Sequence, residues 1–330
     1  MVGCARWGAF FLSLRAVKNA PTTAPESSAT SSHGLALWHI LAVVTILFWG
    51  TSFVSTKVLL NHGFSAVQIF TLRFVVTYLL LLAASHKKFR CENWKHELIL
   101  FVCGLTGCTL YFWAENTALS LSPSSNVSLI VCTNPLLTMI FAGLIYKSER
   151  LCKRQIIGCL VTFVGMVLVV LNGKFILKLS PVGDLLAFSS ACMWTIYSLI
   201  VRPLNEKYST LFITRKMFFY GALSSIPAVF IEAGGNVQKA LDVPWQNFAE
   251  PVVSFNFICL TVFSSLFGYL IWNKVLKQIG TVLASNYIYA IPLVTIITAV
   301  IALGERITSV AIAGAAAIVA GMVLAEWKRK

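Results

Sequence analysis

The chain reads as a series of long apolar runs broken by short polar links. A helix needs about 20 apolar residues to cross roughly 30 Å of hydrocarbon. Runs of that length fall at about 39–60, 67–85, 98–119, 124–146, 156–172, 183–201, 211–231, 253–273, 281–303 and 307–326. The pattern predicts ten transmembrane helices. Two links are longer, near 86–97 and 232–252, and neither is long enough for a separate soluble domain. Sustained two-residue alternation, the mark of a membrane β-barrel, is absent. Residues 1–37 differ: they carry Arg6, Arg15 and Lys18, no acid before Glu26, and a Ser/Thr/Ala/Pro stretch. That segment reads as a disordered extension or a start placed upstream, and its composition also fits an organellar transit peptide.

Composition agrees with the pattern. The 330 residues are 58% hydrophobic and 12% charged, with a mean hydropathy of +0.80, where soluble domains run near a quarter charged. One soluble core could not hide that much apolar surface. The net charge of +14 would suggest a nucleic-acid partner in a soluble chain. Here most of the basic residues sit in or flank alternate links: Lys87, Lys88, Arg90 and Lys95; Lys147, Arg150, Lys153 and Arg154; Arg202, Lys207, Arg215 and Lys216; Lys274 and Lys277; and the C-terminal Lys328, Arg329 and Lys330. Basic loops stay inside. The charge is therefore mostly a topology signal, which excludes nucleic acid as its explanation and places both termini in the cytoplasm.

The chain also repeats itself. Asn116, Leu119 and Pro135 recur 157 residues later as Asn273, Leu276 and Pro292. Glu149-Arg150, Gly158 and Gly165 recur 156 residues later as Glu305-Arg306, Gly314 and Gly321. Trp49 with Lys57 matches Trp194 with Arg202, eight residues apart in both cases. The expected organisation is an all-α integral membrane protein of two five-helix repeats, 38–173 and 181–327. Five is odd, so the second repeat enters the bilayer inverted. Inverted repeats let a central site open to either side in turn, the design of secondary transporters.

At these residues the chain resembles the drug/metabolite transporter superfamily. The resemblance rests on Phe48-Trp49-Gly50-Thr51-Ser52 and Met193-Trp194, and on Asn134-Pro135-Leu136 and Ile291-Pro292-Leu293, each followed by an apolar helix and a Glu-Arg pair. It is nearest to the EamA branch of ten-helix carriers and covers about residues 38–327. The resemblance implies export or exchange of small metabolites, often amino acids or their relatives, across a plasma or bacterial inner membrane. The extra residue in Tyr146-Lys147-Ser148, against Leu303-Gly304 in the second half, departs from the usual pattern.

Candidate substrate contacts come from polar and aromatic stripes, since polar groups that face lipid are costly. Thr45, Trp49, Ser52 and Thr56 share one face of the first span. Tyr111 lies on the third, Trp194 and Tyr197 on the sixth, Ser265, Tyr269 and Trp272 on the eighth, and Ser285, Tyr289 and Pro292 on the ninth. Pro135 and Pro292 loosen their helices and free carbonyls. The same residue types also glue helices together and anchor them at the interface. Among ionisable residues inside spans, Glu115, Lys57 and Arg73 fall in the outer third of the first half. They form either a proton-coupling cluster or a static ion pair. Gly158/Gly165 and Gly314/Gly321 mark close helix contact, within the chain or across a homodimer.

Catalytic signals are lacking: no CxxC, no HExxH, no phosphate or dinucleotide loop. The sequence therefore predicts no enzyme, no cofactor and no metal. The reading is a transporter with a midplane cavity and a small-molecule substrate. A nucleotide-sugar or sugar-phosphate exchanger, and a receptor or assembly factor that keeps the carrier fold, are the alternatives.

Overall fold

The computed structural model describes residues 32–86, 89–121, 127, 130–145, 152–171, 180–294, 297 and 308–326. By its internal contacts the chain divides at Leu37/Trp38. Of the first unit only 32–37 are described, as the opening turns of α1 (Ser32–Asn61), so helix begins before the boundary expected from the sequence. The second unit, Trp38–Lys330, holds the rest of α1 and every later helix. No strand occurs among the described residues.

A helix lies on each of the ten apolar runs. Among the described residues, five stretches are long and apolar enough to cross a membrane: Ala36–Asn61, Ala66–Ala84, Trp94–Ala118, Pro181–Lys207 and Pro251–Ile279. Helix α2 (Ala66–Ala84) starts at a capping box in which Ser65 and Gln68 satisfy each other's backbone N–H. The third run is α3 (Trp94–Gly104), a π-helical segment Leu105–Leu110, and α4 (Tyr111–Leu121). Then come α5 (Asn134–Ile145), α6 (Lys153–Leu171), α7 (Pro181–Ile200), the short α8 (Arg202–Lys207) and α9 (Thr210–Glu232). After α10 (Val237–Leu241), the eighth run is α11 (Pro251–Ile258), a second π-helical segment Cys259–Phe267, and α12 (Gly268–Ile279). Helices α13 (Thr281–Asn286) and α14 (Ser309–Glu326) complete the set.

Some boundaries differ from the sequence reading. Lys274 and Lys277, expected in a link, lie inside α12, which stops only at Gly280. That glycine holds φ at 86°, a left-handed geometry that ends one helix and starts the next within one residue. The chain also turns at Cys132–Thr133 before Pro135, and narrows to a 3-10 turn over Tyr287–Ala290 before Pro292. Both distortions sit where proline removes a backbone donor.

The largest apolar cluster among the described residues joins α1, α2, α3, α7, α9, α12 and α13, and smaller clusters lie beside it. Helix α6 lies along α14 at backbone distance. A Cβ on Gly165 would stand 2.7 Å from the Gly314 carbonyl oxygen, and one on Gly321 2.7 Å from the Gly158 oxygen. The two glycine stripes therefore face each other within one chain.

Candidate functional site

Trp49 stands at the centre of a buried aromatic cluster. Its ring lies 5.1 Å from that of Trp194, edge-on at 89°, 4.9 Å from Trp272 and 5.9 Å from Tyr269. Trp194 in turn meets Tyr111 and Tyr197, each at 5.2 Å. Edge-to-face packing of this kind sets the positive rim of one ring against the negative face of the next. The rings come from α1, α4, α7 and α12, so six of the sequence-predicted residues meet in one place. All three indoles are buried.

Two backbone carbonyls feed this cluster, and both lie in π-helical segments. The Trp49 Nε1–H donates to the Ser264 carbonyl at 3.1 Å. The Tyr269 hydroxyl donates to the Gly107 carbonyl at 2.7 Å. A π turn widens the backbone ladder and leaves carbonyls for outside donors. Gly107 and Ser264 are 157 residues apart, the spacing of the internal repeat. Sequence patterns carry no clear signal for a π turn, so these acceptors are not legible in the sequence. Trp194 Nε1 and Trp272 Nε1 are buried without a hydrogen-bond partner among the described residues.

A polar string runs off the cluster. The Tyr197 hydroxyl donates to Asn273 Oδ1 at 2.8 Å, and Asn273 Nδ2 donates to Thr214 Oγ1 at 3.1 Å. In the sequence, Asn273 stands out only as a repeat marker. On the other side, Tyr111 connects the rings to an ionisable pair. The buried Glu115 carboxylate is acted on by the Tyr111 hydroxyl and by the Arg73 charge. Arg73 is buried too; its Nε donates to Ser265 Oγ, and its guanidinium sits 4.4 Å from the centre of the Phe112 ring. The position 157 residues after Glu115 is Trp272, so this acid belongs to the first half and its counterpart is an indole. Lys57 sits on α1, and its side chain lies outside the described residues.

The remaining candidates lie elsewhere. The Ser52 hydroxyl, half-buried, donates to the Trp49 carbonyl at 2.7 Å within its own helix. Tyr289 packs with Met166 and Ile318, 6.1 Å from the Phe163 ring, against α6 and α14 rather than with the tryptophans. Pro135 is buried, and Pro292 likewise. Next to Pro135, the Asn134 carbonyl accepts from Thr195 Oγ1 at 3.3 Å. A cavity of about 580 Å³ lies between α2, α3, α9 and the link before α3, walled by Arg90, Arg215, Lys216 and Glu97 among others. No cluster of metal-binding side chains occurs among the described residues.

With this geometry in place, comparison with known proteins adds several likenesses. The EamA-like transporter family matches the chain twice, over residues 36–171 and 181–327. An "Uncharacterized transporter" of Archaeoglobus fulgidus is 27% identical, over 88% of this chain and 98% of its own. A "Probable amino-acid metabolite efflux pump" of Salmonella typhimurium is 23% identical, over 86% of this chain and 93% of its own. A solved crystal structure superposes with a TM-score of 0.69 at 20% identity, covering 88% of this chain and 96% of that one. At that identity the match speaks to fold alone.

Proposed function

The chain belongs to the EamA-like transporter family, is an integral membrane protein and a transporter rather than an enzyme, and from that premise we propose that it moves amino acids or related small metabolites outward. Transport runs by alternating access between two inverted five-helix halves, 38–173 and 181–327, with ten spans and both termini cytoplasmic. The substrate meets Trp49, Trp194, Trp272, Tyr111 and Tyr197.

One observation carries this reading: the aromatic cluster is built from both halves, with Trp49 against Trp194 at its centre. Indole and phenol faces attract an ammonium by cation–π contact, with about 0.5–2 kcal/mol per ring. Unpartnered N–H groups of Trp194 and Trp272 suit a carboxylate. A closed cluster with donors to spare suits a carrier that lies toward one side of its cycle. The name of the Salmonella typhimurium relative supports amino-acid metabolites as cargo and efflux as direction.

Contacts related by the repeat spacing support the inverted arrangement. Gly158 meets Gly321 and Gly165 meets Gly314, which are one contact written twice if the halves exchange places. The carbonyl partners break that symmetry: Trp49 donates to Ser264, while Gly107, the matching carbonyl, is held by Tyr269 and leaves Trp194 unpartnered. In the oppositely facing state, Trp194 takes Gly107 and Trp49 releases Ser264.

Uptake of a panel of radiolabelled amino acids into proteoliposomes, with and without an imposed pH gradient, tests the function. Saturable flux that is lost in Trp49→Ala is the expected result. No flux across the panel would overturn the amino-acid reading, and flux unaffected by Trp49→Ala would remove the site.

A further inference from the structure

The cavity at the end of α2, α3 and α9 is remote from the tryptophans and nothing in the transport reading uses it. Its volume, about 580 Å³, falls in the range of roughly 300–1,000 Å³ common to ligand pockets. Five of its wall residues are aromatic, and four are charged: Arg90, Arg215, Lys216 and Glu97. Glu97 is already saturated. Its carboxylate takes the Lys216 ammonium, the Tyr220 hydroxyl and the Cys91 backbone N–H, the last at 3.0 Å. Lys216 and Glu97 thus cancel, and the wall keeps the charge of two guanidiniums.

Those two cations differ in how they are held. Arg215 is buried; it donates to the Ser85 carbonyl and lies 5.1 Å from the Phe89 ring centre. It is fixed before any ligand arrives, so little ordering cost remains. Arg90 is exposed and lines the same cavity as Phe89 and Trp94, which are 56% and 71% exposed. Flat apolar faces beside one fixed guanidinium and one exposed guanidinium suit a ligand with a flat or hydrocarbon body and one anionic head. Inorganic ions would leave most of the volume and both exposed rings unused.

We infer that this pocket is a binding site for an organic anion, a carboxylate or phosphate on an apolar body, held by Arg90 and Arg215 with its body on Phe89 and Trp94. Two sources share that chemistry: a soluble aromatic acid, and an anionic phospholipid headgroup, which basic pockets between membrane helices also hold. The site does not depend on the tryptophan cluster.

The test uses the full chain in nanodiscs of phosphatidylcholine, with indole-3-acetate and its neutral amide as probes in equilibrium dialysis. In parallel, native mass spectrometry of protein released from mixed phosphatidylglycerol/phosphatidylcholine discs reads lipid retention. Arg90→Gln, at an exposed position, keeps the fold, and a matched thermal unfolding curve checks that. Saturable binding of the acid, with the amide and the Arg90→Gln protein each about tenfold weaker, supports a soluble anion. Preferential retention of phosphatidylglycerol, lost in Arg90→Gln, supports a headgroup. Equal binding of acid and amide with no lipid preference, or results unchanged in Arg90→Gln, overturn the proposal. Loss of amino-acid flux with pocket binding intact would sink the transport reading alone.

Discussion

Trp49 touches three other rings and spends its one polar hydrogen on a backbone carbonyl, so its removal acts on packing and polarity at once. Truncation of a buried tryptophan to alanine costs about 3–5 kcal/mol. Trp49→Phe keeps much of the packing and deletes the donor to Ser264; flux in that variant is expected to fall while the melting temperature drops less than in Trp49→Ala. Equal flux in Trp49→Phe and the parent would show that the hydrogen bond is not part of the cycle. Glu115 belongs to the same scale. It is buried near Arg73 and Tyr111, and on the proposed mechanism it is the acid that would take up and release a proton. Glu115→Gln is expected to give flux that no longer varies with pH; an unaltered pH profile would leave Glu115 a static partner of Arg73. An acid and a base inside apolar runs are conspicuous in any sequence, which is why this pair was legible. The π turns were not: Leu105–Leu110 and Cys259–Phe267 carry no proline or charge that announces them, and only their effect on Gly107 and Ser264 reveals their use.

At the scale of elements, periodicity located the helices because lipid enforces length and apolarity together. It misjudged ends. Where α12 would stop depended on Gly280 rather than on the first lysine, since long Lys stems lie along a helix without breaking it. The α6–α14 contact is the tightest between elements, and its prediction is steric. Gly314→Val would push a side chain into the Gly165 carbonyl, whose oxygen already lies 2.6 Å from an ideal Cβ. Overpacking of this kind costs about 1–3 kcal/mol or more. The variant is expected to lose thermal stability in detergent, whereas Gly314→Ala should lose less. No difference between Gly314→Val and the parent would mean that the stripes do not meet. Tyr289 shows the limit of stripe reading: it shares a helix face with Ser285 and Pro292, yet the neighbours that reach it are Phe163 and Met166. Periodicity says which residues share a face, not which neighbour covers it.

For the whole molecule, the expected topology puts the links at Cys91 and Cys152 on the cytoplasmic side. Cys152 is exposed. Burial, and after it the Glu97 carboxylate, push the Cys91 thiol up to about 12, so at neutral pH it holds almost no reactive thiolate. In a Cys4→Ser background, a membrane-impermeant maleimide should therefore modify Cys152 in inside-out vesicles and spare it in right-side-out ones. The opposite pattern would invert the orientation of the whole chain. The glycine contact between α6 and α14 also bears on how the protein is made. Helix α6 leaves the ribosome long before its partner exists, by an interval on the order of 10 s at roughly 5–20 residues per second. During that time its glycine face lacks the α14 backbone that covers it in the finished protein. Helix α14 is the element that covers that face, so a nascent chain that stalls before α14 offers membrane quality control a recognisable, unpaired surface.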